Sequence, residues 1–182
     1  SDLTDKIAQD VMKNVMKYAK ILKKDPENYE ARAEIMWCGS LSHNGLTGCG
    51  TCGGDWATHL IEHELGGMFD VAHGAGLAAV WGSWARYVMD EKPERFAQFA
   101  VDVMGVEESD DVKSTALKGI EAVEEFYRMI EMPTNMKELG INPTDEQIKD
   151  MAMKATNHDT QQLGAFKKLS AKDLVEIYKT AK

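Results

Sequence analysis

The stretch His59-Leu-Ile-Glu62-His63-Glu-Leu-Gly66-Gly67-Met-Phe-Asp-Val-Ala-His73, followed at once by Gly74-Ala-Gly76-Leu-Ala-Ala, holds three of the chain's five histidines. His59 and His63 stand four apart, so in a helix both imidazoles lie on one face. Histidine is the commonest protein ligand for a divalent transition metal near neutral pH, and the spacing permits a metal site. His59-x-x-Glu62-His63 also has the inverted zinc-protease pattern, in which two helical histidines bind zinc and a carboxylate works on the bound water. His73 could supply a third ligand. The bland alternative is three capping or surface histidines that bind nothing. Gly66-Gly67 is predicted to break the helix and turn the chain, leaving His73 at the mouth of the next one.

Working outward, residues 5–24 carry Ile7, Val11, Val15, Tyr18, Ala19 and Leu22 near a 3.6-residue period, with Thr4 as the predicted N-cap. Asp25-Pro26 ends that helix, and a second is predicted from residue 28 toward 41. The glycine-rich run 44–54 reads as a loop. Further helices are predicted at 56–69, 75–89, 93–103, 110–129, 144–156 and 170–180. Thr144-Asp-Glu-Gln147 and Ser170-Ala-Lys-Asp173 have capping sequences. Trp81, Trp84 and Tyr87, with Leu77 and Val80, form a stripe that reads as core. No run alternates apolar and polar residues, so the predicted fold class is all-α.

The 182 residues carry 30 acidic against 21 basic side chains, a net charge of −9. The length suggests one domain over residues 1–182 with a real core. The charge argues against nucleic acid and anionic membranes as partners, and no apolar run reaches the length of a membrane span. Cys38, Cys49 and Cys52 imply no disulfide framework, and no secretory signal opens the chain, so a cytoplasmic location is expected. Cys49-Gly-Thr-Cys52 is a lone CxxC in a glycine loop and reads as ordinary loop cysteines. No phosphate-cradling loop is expected. His43 and His158 read as solvent histidines. The opening Ser1-Asp2-Leu3, without an initiator Met, reads as a processed or excised piece.

Four segments together carry a resemblance: Asp25-Pro-Glu-Asn-Tyr-Glu-Ala-Arg32-Ala-Glu-Ile-Met-Trp37, then Asn44-Gly45-Leu46, then Gly54-Asp-Trp-Ala-Thr-His59-Leu-Ile-Glu-His63-Glu-Leu, then His73-Gly-Ala-Gly-Leu-Ala78. The sequence resembles the C-terminal helical domain of the iron-dependent (group III) alcohol dehydrogenases, nearest their butanol dehydrogenase branch, and the likeness runs to the closing Gly164-Ala-Phe-Lys-Lys-Leu-Ser-Ala-Lys-Asp173-Leu-Val-Glu-Ile177. The resemblance implies the multihelical metal-binding domain of the dehydroquinate synthase-like fold, without the N-terminal nucleotide-binding domain that takes NAD(P)(H).

It further implies His59 and His73 as two ligands of Fe(2+), or of Zn(2+), and His63 as a catalytic histidine near substrate and nicotinamide but outside the metal's ligands. The family's other two ligands, an aspartate and a histidine four residues on, are expected upstream of residue 1. On this reading the chain belongs to an enzyme that interconverts alcohols and aldehydes by hydride transfer, a homodimer at full length, and residues 1–182 alone are expected to be inactive. The alternatives are a zinc metallopeptidase of the HxxEH type and a non-catalytic helical interaction domain.

Overall fold

The computed structural model describes residues 1–182, and they form eight α-helices. These are α1 (Asp2–Lys24), α2 (Tyr29–His43), α3 (Ala57–Phe69), α4 (His73–Val88), α5 (Pro93–Asp102), α6 (Val112–Met129), α7 (Asp145–Ala155) and α8 (Ala171–Thr180). The only β pairing is an isolated antiparallel bridge between Leu163 and Leu169. The all-α expectation therefore holds. No helix is long and apolar enough to cross a membrane.

The helices group into two compact units, one built from residues 1–54 and 94–122, the other from 55–93 and 123–182. In the first, α1 packs along α2. Asn28 caps α2 by accepting the N–H of Ala31 at 3.0 Å. Thr4 is not a cap. Helix α1 already begins at Asp2, and the buried Thr4 hydroxyl donates to the Cys49 carbonyl at 2.8 Å, tying the glycine loop to the helix. Ala100 of α5 comes so near Gly119 of α6 that a Cβ there would sit 2.9 Å from the Ala100 Cα. Arg95 donates to both carboxylate oxygens of Asp5, at 2.6 and 2.7 Å.

The second unit holds the histidines. Its core is formed by Ile61 and Leu65 of α3, Val80 of α4, Ile148 and Met151 of α7, and Leu174, Ile177 and Tyr178 of α8, all fully buried. The Tyr178 hydroxyl donates to the Ile61 carbonyl at 2.6 Å, which fixes α8 against the middle of the histidine helix. Both α7 and α8 start with complete capping boxes, on Thr144/Gln147 and Ser170/Asp173.

Helix α3 runs to Phe69, as the 56–69 prediction has it, so Gly66-Gly67 does not break it; the chain turns at Asp70, whose φ of 53° is left-handed. Helix α4 opens on His73 itself rather than on Ala75. The aromatic stripe of α4 is only half-buried, and the face it packs inward is made of Gly76, Ala78, Ala79, Val80, Gly82, Ala85 and Val88. Small residues let helix backbones approach closely, and here they bring α4 against α3.

The start of α3 is held by Asp55. One carboxylate oxygen accepts the Ala57 N–H at 2.8 Å, and the other accepts those of Ala165 and Phe166 at 2.8 and 2.7 Å. Hydrogen bonds to a charged acceptor are the strong class, so Asp55→Ala should lower stability by about 1.5–3 kcal/mol, read by denaturant unfolding. Asp55→Asn, which keeps one acceptor oxygen, should lose less.

The Asp5 and Arg95 pair predicts a pH dependence. The Arg95 hydrogen bonds hold the Asp5 carboxyl below the ordinary carboxylate range, against a smaller opposing effect of burial. A lowered folded-state value stabilises above the ordinary aspartate value of about 3.9 and is lost as pH falls through the folded one. With Arg95 about half exposed, a contribution of roughly 0.5–1 kcal/mol is expected near neutral pH. Unfolding of Asp5→Asn and the unsubstituted protein should differ by that amount at pH 7 and converge toward pH 2.

Candidate metal centre

Asp55 fixes where α3 begins, and the helix then sets His59 on its first turn and His63 one turn later. Their rings lie parallel within 9°, with centroids 6.5 Å apart. The turn through Asp70, Val71 and Ala72 returns the chain so that His73, the first residue of α4, faces the pair. Its ring centroid is 5.3 Å from that of His59 and 5.5 Å from that of His63. Three imidazoles from two successive helices thus meet around one point. Trp56 flanks them, its ring 4.8 Å from His59.

Glu62 is the residue whose place the sequence reading did not find. It faces away from solvent, only 1 % exposed, and its Oε2 meets Nδ1 of His73. Its Oε1 is buried without a hydrogen-bond partner. The carboxylate fits because Gly76 has no side chain: a Cβ there would stand 2.5 Å from Oε1 and 2.7 Å from Cγ, whereas one on Gly66 would be in ordinary contact, 3.4 Å from Oε1. The sequence signal was available in Gly76, one packed helix away from a lone carboxylate next to Ile61. A charge removed from water needs compensation, and the first turn of α4, the positive end of that helix, lies against it.

This placement bears on the peptidase reading. A glutamate that activates a bound water must open onto the site, whereas Glu62 is enclosed and turned to His73. Glu64 and Tyr178 lie close by. Burial pushes the Glu64 carboxyl up, and burial, with the charges of Glu64 and Glu62 adding to it, pushes the Tyr178 hydroxyl far up, so Tyr178 stays a neutral donor.

Donor atoms of Glu62, His63 and His73 all lie within 4.8 Å of one another. By ring position His59 and His63 are nearly equivalent with respect to His73, so distance alone does not rank them as ligands. Imidazoles with a carboxylate beside them suit iron or zinc, and a buried carboxylate oxygen with nothing to bond is what a cationic centre would compensate. The residues present fit a divalent metal.

Two patterns in the sequence carry no ligand in this fold. Asp55-Trp-Ala-Thr-His59 does have the aspartate-then-histidine spacing of the family's other ligand pair, but the Asp55 carboxylate is engaged by three backbone N–H groups. Gly48-Cys-Gly50-Thr-Cys-Gly53 does have GxGxxG spacing, but it follows a helix and a 3₁₀ turn, with no strand before it, and so lacks the context that makes that pattern a phosphate cradle. Cys49 and Cys52 are exposed there as free thiols, and Cys38 is buried. His43 and His158 are exposed, as expected.

Comparison with known proteins bears on the whole of this arrangement. Residues 1–182 match the family described as the Fe-containing alcohol dehydrogenase family, C-terminal. The chain is 35 % identical over 178 residues to a probable NADH-dependent butanol dehydrogenase of Bacillus subtilis, covering 97 % of this chain and 45 % of that protein. It is 31 % identical over 176 residues to NADH-dependent butanol dehydrogenase A of Clostridium acetobutylicum, covering 96 % and 44 %. The crystal structure of an NADH-dependent butanol dehydrogenase from Thermotoga maritima superposes with a TM-score of 0.90 at 33 % identity, over 100 % of this chain and 46 % of that one. The chain spans about half the length of these relatives. With the match running from the first residue to the last, the chain belongs to the Fe-containing alcohol dehydrogenase family and corresponds to its C-terminal part.

Proposed function

We propose that residues 1–182 form the metal-binding domain of an NAD(P)-dependent enzyme that interconverts primary alcohols and aldehydes, with Fe(2+) or Zn(2+) as its metal. The observation that carries this reading is the convergence of His59, His63 and His73 at the α3–α4 turn, in a chain matched end to end by the family. His59 and His73 hold the metal, and an aspartate and a histidine outside these residues complete its ligands. The nicotinamide is bound mainly outside residues 1–182, which alone do not turn over. The whole protein is a cytoplasmic homodimer.

When bound, the metal supplies Lewis-acid polarisation of the substrate oxygen while the nicotinamide carries the hydride. The chain's own residues do the rest. His63 is exposed and sits beside the two ligands, where a ring nitrogen can take the hydroxyl proton of the alcohol and release it to water. An imidazole can accept a proton at one ring nitrogen and donate from the other, which suits it to that transfer. Trp56 covers one side of His59 and narrows water's access to the ligand. Asp55 and Tyr178 fix α3, which carries His59 and His63.

The test is made on the whole protein, with butanol and NAD+ as substrates and metal content measured alongside. His59→Ala and His73→Ala should both lose bound metal and activity together. His63→Ala should keep the metal and lose roughly 10²–10⁴-fold in kcat, with the corresponding limb missing from the pH profile. Metal loss in His63→Ala with full retention in His59→Ala would exchange the roles of the two helical histidines. Retention in both His59→Ala and His73→Ala would end the reading.

A further inference from the structure

The geometry points to Glu62 as the residue that positions His73 for the metal: its buried carboxylate accepts the Nδ1–H of His73, which fixes the tautomer and leaves Nε2 as the metal-binding nitrogen. The inference rests on the proposed role of His73 as a ligand. Three observations on this chain carry it. Glu62 Oε2 and His73 Nδ1 are paired across the α3–α4 turn. The carboxylate is almost wholly enclosed, and no lysine or arginine side chain is paired with it. The space it occupies is kept open by Gly76 on the next helix, where a Cβ would stand 2.5 Å from Oε1.

A neutral imidazole has one N–H and one lone pair. A carboxylate accepts and does not donate, so a pairing with Nδ1 requires the proton there and puts the lone pair on Nε2. The His73 side chain is 53 % exposed, and its pairing with Glu62 is the contact that bears on which ring nitrogen carries the proton. A ring fixed before the metal arrives loses less entropy on binding, and a carboxylate partner raises the basicity of the nitrogen that binds. Glu62 therefore acts through His73. The order of residues follows from this: the glutamate precedes His63 by one position, which turns it off the face that His59 and His63 share and toward α4.

The experiment uses the whole protein, with Zn(2+) as the probe, and compares dissociation constants for the unsubstituted protein, Glu62→Gln and His73→Ala. A second readout is the visible spectrum of the Co(2+)-loaded forms. A third needs no substitution: nitrogen NMR of labelled histidine in the metal-free protein reads which ring nitrogen of His73 carries the proton. We expect Glu62→Gln to weaken zinc by roughly 10- to 100-fold with an unchanged ligand count in the cobalt spectrum, His73→Ala to weaken it further, and the NMR to find the proton on Nδ1. Unchanged affinity in Glu62→Gln beside a large loss in His73→Ala would overturn the positioning role and leave the site reading standing. A cobalt spectrum in Glu62→Gln showing one ligand fewer would also overturn it, making Glu62 a ligand itself. Unchanged affinity in His73→Ala would remove the site reading and this inference with it. Should Glu62→Gln not fold, the proton found on Nε2 of the unsubstituted protein overturns the role by itself.

Discussion

A carboxylate held out of water is the constraint around which the α3–α4 hairpin is organised. Glu62 is enclosed and met by one titratable partner. Leaving such a group unpaired costs several kcal/mol, far more than a surface ion pair returns. The packing around it follows. Gly76 lets α4 close on the carboxylate. The left-handed Asp70 then sets the turn that brings His73 within reach. Replace the glutamate by alanine and Gly76 would line a gap.

Much of this was legible in sequence, for reasons that differ by element. The periodicity of α1 and the capping sequences at Thr144 and Ser170 are local signals, and local structure obeyed them. Thr4 misled because its hydroxyl serves a tertiary contact with Cys49 instead of its own helix end. Gly66-Gly67 misled for a related reason. Glycine is a helix breaker by propensity, but the propensity cost is only about 1 kcal/mol per residue. That cost is small enough for α3 to continue through both glycines to Phe69. The aromatic stripe of α4 was read as the inward face because aromatic side chains bury most area, yet the contact is made by alanine and glycine.

The site divides in the same way. Spacing alone showed that His59 and His63 share a face, and family resemblance put His73 with them. The structure adds that all three rings converge. Neither spacing nor resemblance showed the partner of Glu62, because that partner lies eleven residues on, beyond a turn whose geometry is set by one left-handed residue. A pattern such as HxxEH invites the glutamate to be read with the histidines that frame it. On a helix, though, position 62 points about 100° away from position 63, and a neighbour in sequence is not a neighbour in space.

Two imidazoles do not complete the shell of iron or zinc, which takes at least three protein ligands in a catalytic centre. On the proposed assignment of His59 and His73, the remaining ligands come from outside residues 1–182. Ligands supplied by separate parts of a protein meet at their proper distances only if each part holds its share in place before they meet. In the second unit Asp55 ties down the start of α3, Tyr178 ties down its middle, and Glu62 meets the ring that opens α4. His63 and His73 are both exposed while Glu62 is enclosed, so water reaches those two imidazoles and not the carboxylate.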